Sequence, residues 1–213
     1  MQTTDDLVVT GSAVFRGTVS AGPTSISAQT RSTGLVQDNN VRFPEKLTDL
    51  RVWDALHTNL PGTAAADDLA LINGTLGSVA PTVQAGDLKA AGATTRYAGL
   101  MLVVPECYVS GETVQLILSC GMLTTIADTS CTVDVEAYKL DKVGGVSADL
   151  CATAAQSINS LVFAEKTFTI TATTLNAGDV LICRIALTCT DAATATAVKP
   201  TIATIDPTFD IKG

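Results

Sequence analysis

The clearest pattern in the chain is the alternation of apolar and polar residues beyond residue 96. In residues 131–140, Val133, Val135 and Ala137 alternate with polar neighbours, which is typical of a strand with one buried face. Segments of similar β character recur between glycine- and proline-containing turns, at 96–104, 112–122, 131–140, 166–174, 180–190 and 197–211. This spacing predicts an all-β fold, an antiparallel and jelly-roll-like β-sandwich over residues 96–213.

Two of these segments are almost wholly apolar. Residues 100–104 (LMLVV) and 116–118 (LIL) contain no polar side chain. Such runs are typical of strands that are buried on both faces, so we expect them at the sandwich centre or in a subunit interface.

Residues 1–43 have a different texture, rich in Gly, Ser and Thr, and we predict an extended N-terminal β arm. Its apolar side chains occur in two short runs, Leu7, Val8 and Val9 and then Val14 and Phe15. A two-stranded ribbon is marginally stable alone, so the arm needs a partner surface. These five residues are therefore candidate interface residues.

We interpret residues 44–95 as a linker of loops with one short helix. Leu47, Leu50 and Trp53 recur at helical spacing after Pro44, which favours a helix start. This face either packs on the β domain or anchors a partner, because Trp is enriched in binding hot spots. Leu47, Leu50 and Trp53 complete the predicted interface set.

Charge and targeting signals narrow the function classes. The 213 residues carry 21 acidic against 13 basic side chains, a net charge of −8, and no basic block, which argues against nucleic-acid binding. The N-terminus lacks the charged and apolar regions of a secretory signal, and the chain lacks an uninterrupted apolar span for a membrane helix. We expect a soluble protein with neither nucleic-acid nor membrane partners.

Candidate catalytic and metal groups are sparse. His57 is the single histidine, so any Ser-His-Asp or Cys-His site must use it. The acidic pairs Asp5-Asp6 and Asp67-Asp68 lack the spacing of a calcium loop, and the six cysteines form no CxxC pair. We therefore expect no enzyme activity, no cofactor and no metal site. The cysteines are either buried thiols or members of up to three disulfides.

Aromatic residues make up 4% of the chain, with one Trp and three Tyr. Glycan-binding and glycan-cleaving sites ordinarily present aromatic platforms, so this shortage argues against a sugar ligand. A carboxylate pair assembled in space remains open on sequence alone.

The combination of the arm, the segment DLRVWDALHTNLPGTAAADDLAL (49–71) and the β-rich ending NAGDVLICRIALTCTDAATATAVKPTIATIDPTFDIKG (176–213) resembles virion structural proteins of tailed bacteriophages. The likeness is closest to capsid decoration or cement proteins, which are trimeric β-sandwiches with an extended arm. It implies a non-enzymatic homo-oligomer, with a trimer favoured, that binds the viral major capsid protein on the capsid surface of the virion. Assembly in the host cytoplasm is also implied.

The alternative hypothesis is a phage fibre or spike component, or a receptor- or glycan-binding β-sandwich module. In the decoration hypothesis the N-terminal arm braces neighbouring coat subunits by adding strands to them. In the binding-module hypothesis the loops of the sandwich recognise the ligand.

Overall fold

The computed structural model describes residues 40–141 and 143–211, and all but one of the elements in this part of the chain are strands. In chain order the elements are β1 (Asn40–Arg42), a 3-10 helix (Leu47–Asp49), β2 (Arg51–Val52), β3 (Ala55–Asn59), β4 (Ala70–Ile72), β5 (Thr82–Gln84), β6 (Thr94–Val103), β7 (Val114–Met122), β8 (Ser130–Lys139), β9 (Gln156–Ser157), β10 (Ala164–Ile170), β11 (Val180–Thr190) and β12 (Pro200–Asp210).

The strands form two antiparallel sheets of six strands each within the described residues. Sheet A has the order β10-β7-β12-β5-β4, and β1 pairs with the end of β12. Sheet B has the order β3-β2-β6-β11-β8-β9. The predicted all-β, antiparallel sandwich is therefore confirmed.

The eight strands from β5 to β12 follow a jelly-roll order. Consecutive strands cross between the sheets except at β8 and β9, which gives β5-β12-β7-β10 in one sheet and β6-β11-β8-β9 in the other. Two interleaved Greek keys of this kind define the jelly roll. Strands β1 to β4 then widen both sheets.

The core lies between the sheets and is filled by the inward side of each long strand. Along β11, buried and half-buried side chains alternate without interruption, and β8 shows the same alternation. Val133, Val135 and Ala137 are buried, as the sequence pattern predicts. The opposite positions of β6, β8 and β11 remain available on the outer face of sheet B.

The interpretation of residues 44–95 as a linker with a helix is wrong. The helical part is a single 3-10 turn, and the remainder contributes β2, β3, β4 and β5 to the two sheets. Leu50 and Val52 are buried on either side of the half-buried Arg51, so this stretch has strand periodicity rather than helical periodicity. Pairing of Arg51 with Gly99 of β6 outweighs the local helical spacing.

The apolar run in β6 is buried on only one face. Leu100, Leu102 and Val104 are fully buried, whereas Met101 and Val103 are 49% and 65% exposed. In β7 the expectation of burial on both faces is met, because Leu116, Ile117 and Leu118 are all buried.

The cysteines divide into one disulfide and four thiols. Cys131 and Cys189 are directly opposite each other on β8 and β11 and form a disulfide. Cys120 and Cys183 are buried, and burial raises the pKa of each thiol to about 12. Both alternatives that the sequence left open are thus present in one chain.

No group of three or more His, Cys, Asp or Glu side chains is arranged to hold a metal ion in residues 40–141 and 143–211. In the same part of the chain, no helix has the length and apolarity needed to cross a bilayer.

Candidate ligand-binding face

The outer face of sheet B presents an ordered array of side chains from its three longest strands. Antiparallel pairing sets residues of β8, β11 and β6 side by side in rows. With the residues of each row given in the order β8, β11 and β6, the rows are Thr132–Thr188–Thr95, Asp134–Ala186–Tyr97, Glu136–Arg184–Gly99 and Tyr138–Ile182–Met101. Hydroxyl, charged, aromatic and apolar side chains therefore follow one another along this face.

Arg184 is the centre of the array. Its Nη2 donates a hydrogen bond of 2.6 Å to Oε1 of Glu136. Its guanidinium carbon lies 5.2 Å from the ring centroid of Trp53 and 5.1 Å from that of Tyr97, within cation–π distance of both rings. The two rings are themselves 5.2 Å apart, inclined at 48°. Arg184 and the two aromatic rings thus form one contiguous cluster.

Trp53 reaches this face from the turn between β2 and β3. Its indole Nε1 donates a 3.1 Å hydrogen bond to Oδ2 of Asp67, which orients the ring. The turn can approach β6 closely because Gly99 has no side chain: a Cβ at Gly99 would meet Leu56 Cδ2 and lie 3.3 Å from Cα of Trp53. A glycine in mid-strand is thereby explained by close packing of the β2–β3 hairpin.

Glu136 is held from two sides. Arg184 binds one carboxylate oxygen, and the hydroxyl of Tyr138 donates to the other at 2.8 Å. The hydrogen bond from Arg184 lowers the pKa of Glu136, so this carboxylate is ionised at neutral pH. The same contact with Glu136 raises the pKa of Tyr138, whose phenol therefore keeps its proton.

Asp134 differs from its neighbour on the same strand. Desolvation by burial raises its pKa, although the backbone N–H of Val135 donates to its Oδ1 at 3.0 Å. The like charge of Glu136 adds to this effect and the charge of Arg184 opposes it. The face therefore carries two carboxylates of different character beside one guanidinium.

A concave pocket of about 210 Å³ opens over the polar half of the face. At one end of the pocket, the hydroxyls of Thr95 and Thr188 form a 2.8 Å hydrogen bond with each other. Ala186 forms the floor between the aromatic and acidic walls, and Ala155 contributes from the loop before β9. The arrangement offers hydrogen-bond donors, acceptors and a flat apolar surface within one depression.

A larger cleft of about 1050 Å³ lies elsewhere, beneath the loop of residues 73–81. Leu47, Leu71 and Pro81 line it, and Leu76 at the loop tip is completely exposed. None of the described residues that line this cleft carries an aromatic ring or a carboxylate. Its described lining, which combines apolar side chains with polar ones such as Lys46, Asn73 and Ser78, therefore offers no aromatic platform for a ligand.

The structure separates the predicted interface residues. Leu7, Val8, Val9, Val14 and Phe15 lie outside the described residues, and their role stays a prediction. Leu47 is half-buried, while Leu50 is 1% exposed and belongs to the core, which excludes its side chain from an external interface. Trp53 alone joins the candidate face. His57, the single histidine, is exposed on β3.

The sequence pattern does not single out Tyr97, Glu136 or Arg184 as candidate ligand-binding residues. One signal was present, since the alternation in residues 131–140 directs Asp134, Glu136 and Tyr138 away from the core. The order β8-β11-β6 then brings Arg184 and Tyr97 beside them, and this order is not visible in local periodicity.

Neither a protein-family model nor a curated protein matches this chain. Among solved structures it is similar to the xylan-binding module CBM15, with 13% identity, a TM-score of 0.44, and coverage of 82% of this chain and 99% of the module.

A second similarity is to the CBM22-1 xylan-binding domain of Xyn10C from Paenibacillus barcinonensis, with 10% identity, a TM-score of 0.40, and coverage of 70% and 90%. A third is to a cleaved adhesin domain of Lys-gingipain from Porphyromonas gingivalis, with 11% identity, a TM-score of 0.37, and coverage of 78% and 97%. TM-scores below 0.5 do not identify a ligand, so any inference about binding must rest on this chain's own residues.

Proposed function

We propose that this protein is a non-enzymatic glycan-binding module that holds a saccharide against the outer face of sheet B. The observation that carries the proposal is the clustering of aromatic side chains. The single Trp and two of the three Tyr of the chain, Trp53, Tyr97 and Tyr138, lie on this one face, whereas Tyr108 is buried in the core.

Because the aromatic side chains are clustered, the low aromatic content of the chain no longer argues against a sugar ligand. A sugar ring has an apolar C–H surface that packs on an aromatic ring, and its hydroxyls need hydrogen-bond partners around the edge. One site needs only two or three rings, so a low aromatic content excludes nothing when Trp53, Tyr97 and Tyr138 are concentrated together.

The polar groups of the face match the needs of sugar hydroxyls. Arg184 supplies N–H donors, Glu136 and Asp134 supply acceptors, and the hydroxyls of Thr95 and Thr188 serve as either. The ion pair with Glu136 and the contacts with the rings of Trp53 and Tyr97 hold the guanidinium of Arg184 in place, so part of the site is preorganised.

The same contacts favour binding over hydrolysis. Glycoside hydrolysis needs one carboxylate as nucleophile or base and a second carboxyl as acid. Arg184 and Tyr138 occupy both oxygens of Glu136, so this carboxylate is engaged in holding the face together. A binding role uses the arrangement as it stands.

The disulfide supports a working environment outside a reducing cytosol. Cys131 and Cys189 are joined directly beneath the face, in the core side of β8 and β11. Bonds of this kind persist in oxidising surroundings and are rare in the cytosol. This fits an exported or particle-borne glycan-binding module.

The proposal is tested by titrating the protein with soluble polysaccharides while recording tryptophan emission. Trp53 is the single Trp, so a change in its emission reports on this face alone. The probes are a xylan, a mixed-linkage β-glucan and an α-glucan. We expect saturable binding to at least one of them and a loss of about tenfold in affinity for Tyr97→Ala, measured by calorimetry.

The matched control is His57→Ala, which changes an exposed ring on β3 and is expected to bind as the unmodified protein does. The proposal is contradicted if the protein binds none of the three polysaccharides. Equal affinities of Tyr97→Ala and the unmodified protein contradict it as well.

Capsid decoration remains the second candidate function, as a prediction from sequence resemblance. Exposed apolar side chains on separate loops, Leu76, Leu161 and Val162, are the features that contacts with coat subunits would use. Deletion of residues 1–39, which keeps β1 in sheet A, distinguishes the two functions. Loss of particle attachment supports decoration, and retained polysaccharide binding supports the module.

A further inference from the structure

The charge of the candidate face specifies the class of glycan. Arg184 is the cation within the cluster, and its charge is neutralised by Glu136 at 2.6 Å. Asp134 lies one row along the same strand and adds a second negative charge. Asp67, in the loop between β3 and β4, adds a further carboxylate, which accepts the hydrogen bond from the indole of Trp53. The face is therefore negative overall, as is the whole chain, with a net charge of −8.

Arg184 is arranged as a donor to neutral groups rather than as a receptor for anions. A guanidinium that binds a carboxylate or sulfate ordinarily presents two parallel N–H groups to it. Here Nη2 is committed to Glu136, and the aromatic rings of Trp53 and Tyr97 lie against the guanidinium at 5.2 and 5.1 Å. The remaining N–H groups suit single hydrogen bonds to hydroxyl oxygens.

We propose that this face selects uncharged glycans and discriminates against chains that bear uronate or sulfate groups. The inference rests on the proposed glycan-binding function and names its ligand class. An anionic sugar bound on this face lies within one or two rows of the carboxylates of Asp134 and Glu136. At that separation the salt in solution screens their repulsion only partly.

The test compares a neutral polysaccharide that binds with the same polymer after carboxymethyl groups have been attached to a fraction of its hydroxyls. We expect the neutral form to bind about tenfold more tightly in 20 mM NaCl. Each carboxylated sugar unit is repelled by Asp134 and Glu136, and Arg184 is already paired with Glu136. In 500 mM NaCl the difference is expected to narrow to about threefold or less, since salt screens exposed charges.

Charge-removing variants sharpen the test. Asp134→Asn and Glu136→Gln are both isosteric, and the measured quantity is the ratio of the two affinities within each variant. We expect Asp134→Asn to reduce the preference for the neutral polymer. Glu136→Gln frees Arg184 from its partner and is expected to reduce the preference further, because the guanidinium can then pair with an anion.

The outcomes separate this inference from the proposed function. Tighter or equal binding of the carboxylated polymer, with a change in Trp53 emission, overturns the charge selectivity and leaves glycan binding standing. A preference that is unchanged by salt and by Asp134→Asn overturns its electrostatic origin. Absence of binding to both polymers overturns the inference together with the function on which it rests.

Discussion

Replacing Leu50 by alanine tests whether the segment between the 3-10 helix and β2 belongs to the folded core. Leu50 is 1% exposed and lies in the main hydrophobic cluster. One of the two interpretations of the sequence pattern places the same residue on an interface with a partner, where its side chain would be exposed in the isolated protein. The two interpretations give opposite results for stability.

The expected loss follows from the burial. Truncating a buried leucine removes its transfer free energy and leaves a cavity, at a cost of about 2–5 kcal/mol. For Leu50, with almost no residual exposure, we expect about 3 kcal/mol. In a domain of this size that corresponds to a fall in Tm of roughly 6–12 °C. Leu76 is completely exposed, and Leu76→Ala is expected to change stability by less than about 0.5 kcal/mol.

The assay is urea unfolding followed by far-UV circular dichroism, with both variants and the unmodified protein at one concentration. Similar m-values would show that the three proteins expose similar surface on unfolding. A loss below about 1 kcal/mol for Leu50→Ala, or a loss equal to that of Leu76→Ala, would refute the placement of residue 50 in the core.

Two further predictions concern thiols and pH. In a titration with a thiol reagent under native conditions, the exposed Cys107 should react fast, while Cys120 and Cys183 stay protonated because burial raises their pKa to about 12. Unfolding without reductant should bring the number of reactive thiols to four. Six reactive thiols at that stage would contradict the disulfide. Because Arg184 lowers the pKa of Glu136, their pair stabilises the folded state above the ordinary value of 4.5, and this contribution is lost as the pH falls through the lower folded-state value. Glu136→Gln should therefore lose less stability than the unmodified protein between pH 5 and pH 3 in urea unfolding, and parallel profiles would rule out this contribution.

The long strands could be predicted because burial on one face imposes a two-residue period. Residues 131–138 alternate over four full periods, and the structure buries Val133, Val135 and Ala137 as that alternation requires. Strands β2, β4 and β5 have only two or three residues each, too few to show a period. They exist because longer strands offer them hydrogen-bonding edges, as β12 does for β5.

The candidate site was harder to predict, for a related reason. Three different strands contribute Tyr97, Glu136 and Arg184. The two-residue period of each strand places its residue on the solvent-facing side. Their proximity depends on the pairing of β11 with both β6 and β8, which is a property of the jelly-roll connections. Helical spacing and residue type together predict Trp53 as a binding residue, but the structure places it in the turn between β2 and β3 rather than on a helix.

The most direct test of the central claim is a heteronuclear NMR titration of the full chain with the best-binding neutral oligosaccharide. The account predicts that the largest shift changes occur at outward positions of β6, β8 and β11 and at the indole N–H of Trp53, with Tyr97 and Arg184 among them. Largest changes around the cleft at residues 73–81, on sheet A, or nowhere at saturating ligand would contradict the assignment of this face as the glycan-binding site.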